Sequence, residues 1–198
     1  MPTSITSSGI TFDDATTLTT GVLTAANIAS GAVTPAKLSQ PLTLATAVAT
    51  TSGTAIDFTG VPSWVKRLTI MFSDVSTSGS SNILVQIGSG SVVSSGYNSS
   101  SGVFNFTSGT GGTNSSAGFC MSNSAAYTIC GHMNLTLLSG SIWTASHAFF
   151  AGNSTTGGGG VGGGRSPSLS GTLDRVRLTT VNGTDTFDAG SVNIIYEG

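Results

Sequence analysis

"AYTICGHMNLTLLSGSIWTASHAFFA", residues 126–151, is two apolar-rich runs joined by a short Ser/Gly break. Runs rich in Ile, Thr, Phe and Trp and bounded by turn residues read as strands, and a two-residue break closes them into a hairpin. With Ser139 and Gly140 as the turn, Leu137 faces Ile142, Leu135 faces Thr144, Met133 faces Ser146 and Ile129 faces Phe150 on a mainly apolar side. The opposite side then pairs Thr136 with Trp143, Cys130 with Phe149 and His132 with His147. The stretch predicts an antiparallel sheet with one packed face, and it brings both histidines of the chain to one ladder.

The pattern continues on both sides of this hairpin. From Leu42 onward, runs rich in Val, Ile, Thr and Phe alternate with Gly and Ser clusters. They predict strands near 42–50, 54–58, 64–74, 82–88, 91–95, 102–107, 117–121, 126–138, 141–151, 172–181 and 191–197. In "WVKRLTIMF", residues 64–72, Trp64, Leu68, Ile70 and Phe72 share one face with Lys66 as the exception, while Arg67 and Thr69 lie on the other. Near the C-terminus Val192, Ile194 and Tyr196 share a face. Many short strands with turns between them give an all-β chain, with an antiparallel β-sandwich or jelly-roll-like head over residues 42–198. "GGGGVGGGR", residues 157–165, has consecutive glycine N–H groups of the kind that cradle phosphate, but it lacks the Lys-Ser/Thr ending of a phosphate loop. It is expected to be a surface loop.

Residues 1–41 differ. Ile5, Ile10, Phe12, Leu18, Val22, Leu23, Ile28, Val33 and Leu38 are single apolar steps among small polar residues, and no part of the segment buries a core alone. "TAANIASGAVTPAKLS", residues 24–39, predicts one or two helical turns with Thr24 or Thr34 as N-cap and Pro35 in the first helical position. An extended arm of this kind needs another surface to rest on.

The totals narrow the function. Charged residues are 7% of 198, against about 25% in an ordinary chain. Hydroxyls, amides and backbone must therefore solvate the surface. A net charge of -2 with six scattered Lys and Arg provides no basic face for a nucleic acid. The N-terminus lacks a charged region followed by an apolar one, and no run approaches the ~18 apolar residues of a membrane span. The chain is expected to be made in the cytoplasm and to stay soluble. Cys120 and Cys130 are too few for a disulfide framework and lack zinc-site spacing, so free thiols are expected, and Asn-x-Ser/Thr matches carry no weight without a secretory signal.

Few residues suggest chemistry. His132 and His147, if paired across the hairpin, form at most half of a metal site and otherwise two imidazoles on a polar face. The acids, Asp57, Asp74, Asp174, Asp185 and Asp188 among them, fall mostly at predicted turns and strand ends, where carboxylates cap backbone N–H groups. No base stands beside a nucleophile, no cofactor motif occurs, and the chain is expected not to be an enzyme. Tyr97, Tyr127 and Trp143 lie near predicted loops, where an aromatic face suits a sugar ring, and core packing or a subunit contact is the other reading for each. With Gly160 and Arg165 of the glycine-rich segment they are the receptor-contact candidates.

"GITFDDATTLTT" followed by "LTAANIASGAVTPAKLS" resembles the N-terminal segments of bacteriophage and prophage tail-fibre proteins. The blocks "GVPSWVKRLTIMF" and "NGTDTFDAGSVNIIYE" are similar to the C-terminal β-domain of the same fibres. Asp14-Ala15 stands where many such fibres carry Asp-Gly, and the long shaft between arm and head is missing, so the fibre would be very short. The resemblance implies a homotrimer exposed on the virion. Its arm, with Ile10, Phe12, Leu18, Val33, Lys37 and Leu38 as anchoring or trimer contacts, would dock on a tail, baseplate or neck protein, and its head would bind a host-surface glycan. Two other roles fit the same residues: a collar, head or baseplate appendage with a purely structural task, and a glycan-cleaving enzyme, which would need two carboxylates about 5 to 9.5 Å apart.

Overall fold

The structure is a computed structural model that describes residues 4–6, 9–11, 17–18, 40, 42–105, 109–153 and 155–198. The chain divides into two compact units, Met1–Pro41 and Leu42–Gly198. In the first, β1 (Ser4–Thr6), β2 (Gly9–Thr11) and β3 (Thr17–Leu18) form an antiparallel sheet in that order, with Ile5 opposite Ile10 and Ile10 opposite Leu18. The helical turns expected in 24–39, and Phe12, Val33, Lys37 and Leu38, lie outside the described residues.

The second unit is an all-β sandwich of two antiparallel sheets. Its strands are β4 (Thr43–Leu44), β5 (Val48–Ala49), β6 (Ala55–Thr59), β7 (Arg67–Thr77), β8 (Ile83–Ser89), β9 (Ser91–Val92) and β10 (Asn98–Asn105). They continue with β11 (Gly109–Ser115), β12 (Phe119–Met121), β13 (Thr128–Ser139), β14 (Ile142–Gly152), β15 (Gly157–Arg165), β16 (Arg175–Thr180) and β17 (Phe187–Glu197). The wide sheet runs β11-β10-β15-β14-β13-β7-β17-β4, with β5 also on β17. The narrow one runs β12-β8-β16-β6, with β9 on β8. Among the described residues no helix is long and apolar enough to cross a membrane.

Alternation puts the core between the sheets. Leu68, Ile70 and Phe72 of β7 face inward beside Val192, Ile194 and Tyr196 of β17, while Arg67 is exposed. Val85 and Ile87 of β8, Val176 and Leu178 of β16, and Phe119 and Met121 of β12 meet them from the narrow sheet. Each such side chain contributes about 1.5–3 kcal/mol when fully buried. Trp64 falls in the turn before β7, partly buried against this core, and Val65 is the buried residue there.

The hairpin of residues 126–151 forms, but one residue out of the expected register. Its turn is Gly140-Ser141, with Gly140 at φ 56°, a conformation that suits glycine at the first central position of a two-residue turn. Leu138 is then an extra residue, because Leu137 pairs with Trp143 and Ser139 with the adjacent Ile142. This bulge slips the ladder, so His132 pairs with Ala148 and Met133 with His147. A slip of one residue exchanges the faces. His147 turns inward at 4% exposure while His132 stays outside, and the expected histidine pair does not form.

The larger departure is the glycine-rich segment. Gly157–Arg165 is not a loop but β15, bonded to β10 on one side and to β14 on the other. Glycine costs about 0.5–1 kcal/mol per strand residue in backbone entropy relative to alanine, and this strand has seven. Space explains the composition. On the inner face a Cβ at Gly160 would overlap the Phe149 ring, and one at Gly162 would come within 2.7 Å of the His147 ring. On the outer face a Cβ at Gly159 would overlap Phe104, and one at Gly157 would come within 2.7 Å of Phe150. Rings from the neighbouring strands cover the bare backbone on both faces, so the missing side chains are supplied from next door. β11, "GTGGTNS", was likewise not expected as a strand, and it pairs with β10 at the edge of the wide sheet.

Substituting Gly160→Ala is expected to lower unfolding free energy by about 1–3 kcal/mol through overpacking. In a Phe149→Leu background, which removes the ring carbons the new Cβ would meet, most of that cost should vanish in a denaturant-based double-mutant cycle. Equal costs in the two backgrounds would contradict the ring-over-glycine packing.

Candidate binding cleft

The connection Ser122–Tyr127 leaves β12 in the narrow sheet and enters β13 in the wide one, so it crosses the open end of the sandwich. Between it and the glycine strand lies a cleft of 170 Å³. Val103 and Ala151 form an apolar side, the backbone of Gly158 and Gly159 lines it further, and Tyr127 stands at the rim with Ser122, Asn123 and Ser124. Among the described residues no carboxylate, histidine or cationic side chain lines it.

Hydrogen bonds hold the rim in place. The Asn123 N–H donates to Asn82 Oδ1 at 3.1 Å. Its side-chain NH₂ donates to Thr77 Oγ1 at 2.7 Å, to the Ser81 carbonyl at 3.1 Å and to the Gly79 carbonyl at 3.3 Å. Two carbonyl acceptors fix which end of the amide is nitrogen. Asn123 Oδ1 is consequently left buried without a donor among the described residues. Asn153 ties the neighbouring β14–β15 turn to the same rim. Its Oδ1 accepts from the N–H groups of Thr155 and Thr156, each at 2.9 Å, and its Nδ2 donates to the Ala126 carbonyl at 3.3 Å.

The structure separates the sequence candidates. Tyr127 is half-buried and lines the cleft. Tyr97 is a core residue at 4% exposure, edge-on to Phe119 with ring centroids 5.1 Å apart. Its hydroxyl accepts from the Ile87 N–H at 2.8 Å and donates to the Val93 carbonyl at 3.1 Å, and burial pushes its pKa up to about 12. Trp143 is buried at 2% exposure, so neither ring offers a face to an outside ligand. Gly160 lies under Phe149 in mid-strand. Arg165 is exposed at the end of β15, with no acidic partner among the described residues. Ser122, Asn123 and Ser124 were not anticipated as site residues. Their only signal was position, a polar triplet between two predicted strands.

The carboxylates, thiols and histidines of the described residues do not line the cleft. Asp57 takes a two-pronged bond from Arg177 at 2.7 and 2.8 Å, and Asp174 pairs with Arg175 at 2.7 Å, which lowers its pKa. Cys120 and Cys130 are free thiols; Cys120 is buried and its pKa is raised by that burial. His132 and His147 lie on opposite faces, and among the described residues no group of three or more His, Cys, Asp or Glu is placed to hold a metal ion.

No protein family, curated protein or solved structure matches this chain.

His147 gives the head a pH dependence of its own. Its Nε2 lies 3.1 Å from Ser101 Oγ, Nδ1 has no partner among the described residues, and burial lowers its pKa from 6.5 to about 4. The unfolded chain therefore takes up this proton between about pH 6.5 and 4 while the fold does not. Stability contributed by the neutral ring is fully present above pH 6.5 and is lost as pH falls through that window. Unfolding at pH 7.5 and at pH 4.5 should differ by about 2–3 kcal/mol from this group. His147→Gln should flatten that part of the profile, and an unchanged slope in the variant would assign the loss to other groups.

Proposed function

We propose that this chain is a short, trimeric phage tail fibre whose head attaches to host-surface polysaccharide and whose arm docks on the virion. The observation that carries the reading is the cleft at the open end of the sandwich, whose wall combines an aromatic ring, aliphatic groups and hydroxyls without a charge. Such a wall matches a sugar, which has apolar C–H faces and hydroxyl edges. The resemblance of both chain segments to tail fibres supports the same role, and so does a surface poor in charge, because contacts made by hydroxyls depend little on salt. A single small cleft binds weakly. Three heads on one fibre, and several fibres on a particle, convert weak sites into firm attachment. The reading is of a binding protein rather than an enzyme: the carboxylates Asp57 and Asp174 are engaged by arginines, and none lines the cleft.

One observation favours a second role, that of a structural appendage on collar, head or baseplate. Phe104, Val161 and Phe150 are 47%, 54% and 46% exposed on the outer face of the wide sheet, close together across β10, β15 and β14. Apolar side chains grouped in this way suit contact with another virion protein.

Light scattering coupled to size exclusion should give the full chain about three times its 19.6 kDa mass. Surface-immobilised full chain should also retain capsular or lipopolysaccharide from a susceptible host in 0.5 M NaCl. A monomer would remove the trimer, and a trimer that retains no host polysaccharide would favour the appendage.

A further inference from the structure

Resting on the attachment reading, we infer that the cleft beside Tyr127 takes one six-membered ring of an uncharged sugar, and that this single unit sets the specificity of the head. Size comes first. A protein cavity of about 150 Å³ accommodates one benzene, so 170 Å³ holds one ring and leaves the next unit of a polysaccharide outside.

Polarity selects the kind of ring. Val103, Ala151 and the Tyr127 ring present carbon, which suits the C–H face of a pyranose. The hydroxyls of Ser122 and Tyr127, residues of the same lining, make no hydrogen bond within the described residues, and Ser124 Oγ accepts from the Ala126 N–H at 3.4 Å while keeping its own proton to donate. Three hydroxyls are thus available to a ligand that both donates and accepts. A purely apolar ring would leave them without partners, whereas a sugar satisfies them together.

Charge selects further. Among the described residues no basic side chain lines the cleft to pair with a carboxylate or sulfate. Behind the rim, Asp185 accepts from the Ser81 N–H at 3.0 Å and lies against Gly79, the same short segment that anchors Asn123. The rim bonds from Asn82, Asn153 and the Thr77–Ser81 segment keep the walls in place before the ligand arrives, which lowers the ordering cost of binding.

The test uses the full chain and four neutral probes, the methyl glycosides of glucose, galactose, mannose and N-acetylglucosamine, with methyl glucuronide as the charged control, read by saturation-transfer NMR. At least one neutral glycoside should bind with millimolar affinity. Tyr127→Ala should weaken it tenfold or more, Ser122→Ala by about fivefold, as expected for one lost hydrogen bond, and Arg67→Ala, an exposed position outside the cleft lining, should leave it unchanged. Ser122→Ala keeps the test decisive if Tyr127→Ala fails to fold. Neutral binding undiminished in both rim variants overturns the cleft and leaves polysaccharide attachment standing. Preference for the glucuronide overturns the neutral-ring assignment. No binding of any neutral probe, while the chain still retains host polysaccharide, overturns the cleft alone; loss of both overturns the attachment reading with it.

Discussion

Aromatic rings lying across a strand that has almost no side chains hold the wide sheet together at its β10–β11 end. β15 has ladders on both sides, and its seven glycines cost several kcal/mol of backbone entropy. Against that stand the buried area of Phe149 and the cover that Phe104 and Phe150 give the opposite face. Glycine there also lets the neighbouring strands come close: a Cβ at Gly163 or Gly164 would strike the carbonyls of Ala145 or Asn98. Beyond β15 the sheet continues onto the narrow one. Ser99 on β10 accepts from the Cys120 N–H at 3.0 Å, and Thr113 on β11 accepts from Asn82 Nδ2 at 2.9 Å. Without β15 as a strand, β10 and β11 would have no place in the sheet.

The same constraint makes the cleft. Of the two glycines that line it, Gly158 lies opposite Ala151 on the inner face, where an ordinary side chain would project toward the space that Val103, Ala151 and Tyr127 enclose. The crossing connection of the two sheets supplies the polar wall, because a segment that leaves one layer for the other must pass over the open end of the core. Its backbone cannot join either ladder there, so Asn82, Asn123 and Asn153 provide the hydrogen bonds instead. Fold and candidate site therefore have one origin, in backbone left bare on one side of the cleft and side-chain amides that hold the other.

How much of this was legible in the sequence depended on whether a strand carried its own side chains. β7, β13, β16 and β17 bring Val, Ile, Leu, Phe and Thr to their inner faces, and alternation exposed them; in β14 the reading placed Ile142, Thr144, Ser146 and Phe150 on the packed face, and Trp143, Ala145, His147 and Phe149 are buried instead. β11 and β15 bring almost nothing, because the atoms that cover them belong to Phe104, Phe149 and Phe150 on other strands. Composition reports a residue's own side chain and not a neighbour's. The register of the central hairpin was hidden for a different reason: Ser139-Gly140 and Gly140-Ser141 are both acceptable turns, and the bulge at Leu138 depends on tertiary packing. Among the aromatic candidates Tyr127 was picked out together with Tyr97 and Trp143. Only burial separates them, and burial of a residue near a loop is decided by what folds over it.

The most direct test of the account is amide hydrogen exchange across Gly157–Arg165, measured beside β13 as the internal standard. A strand bonded on both sides predicts that the amides of Gly158–Gly164 open only in the rare events that expose the hairpin, with protection close to that of Leu135 and Met133. Exchange of these glycine amides at the rate of an exposed loop would contradict the ring-covered strand, and with it the cleft that the strand lines.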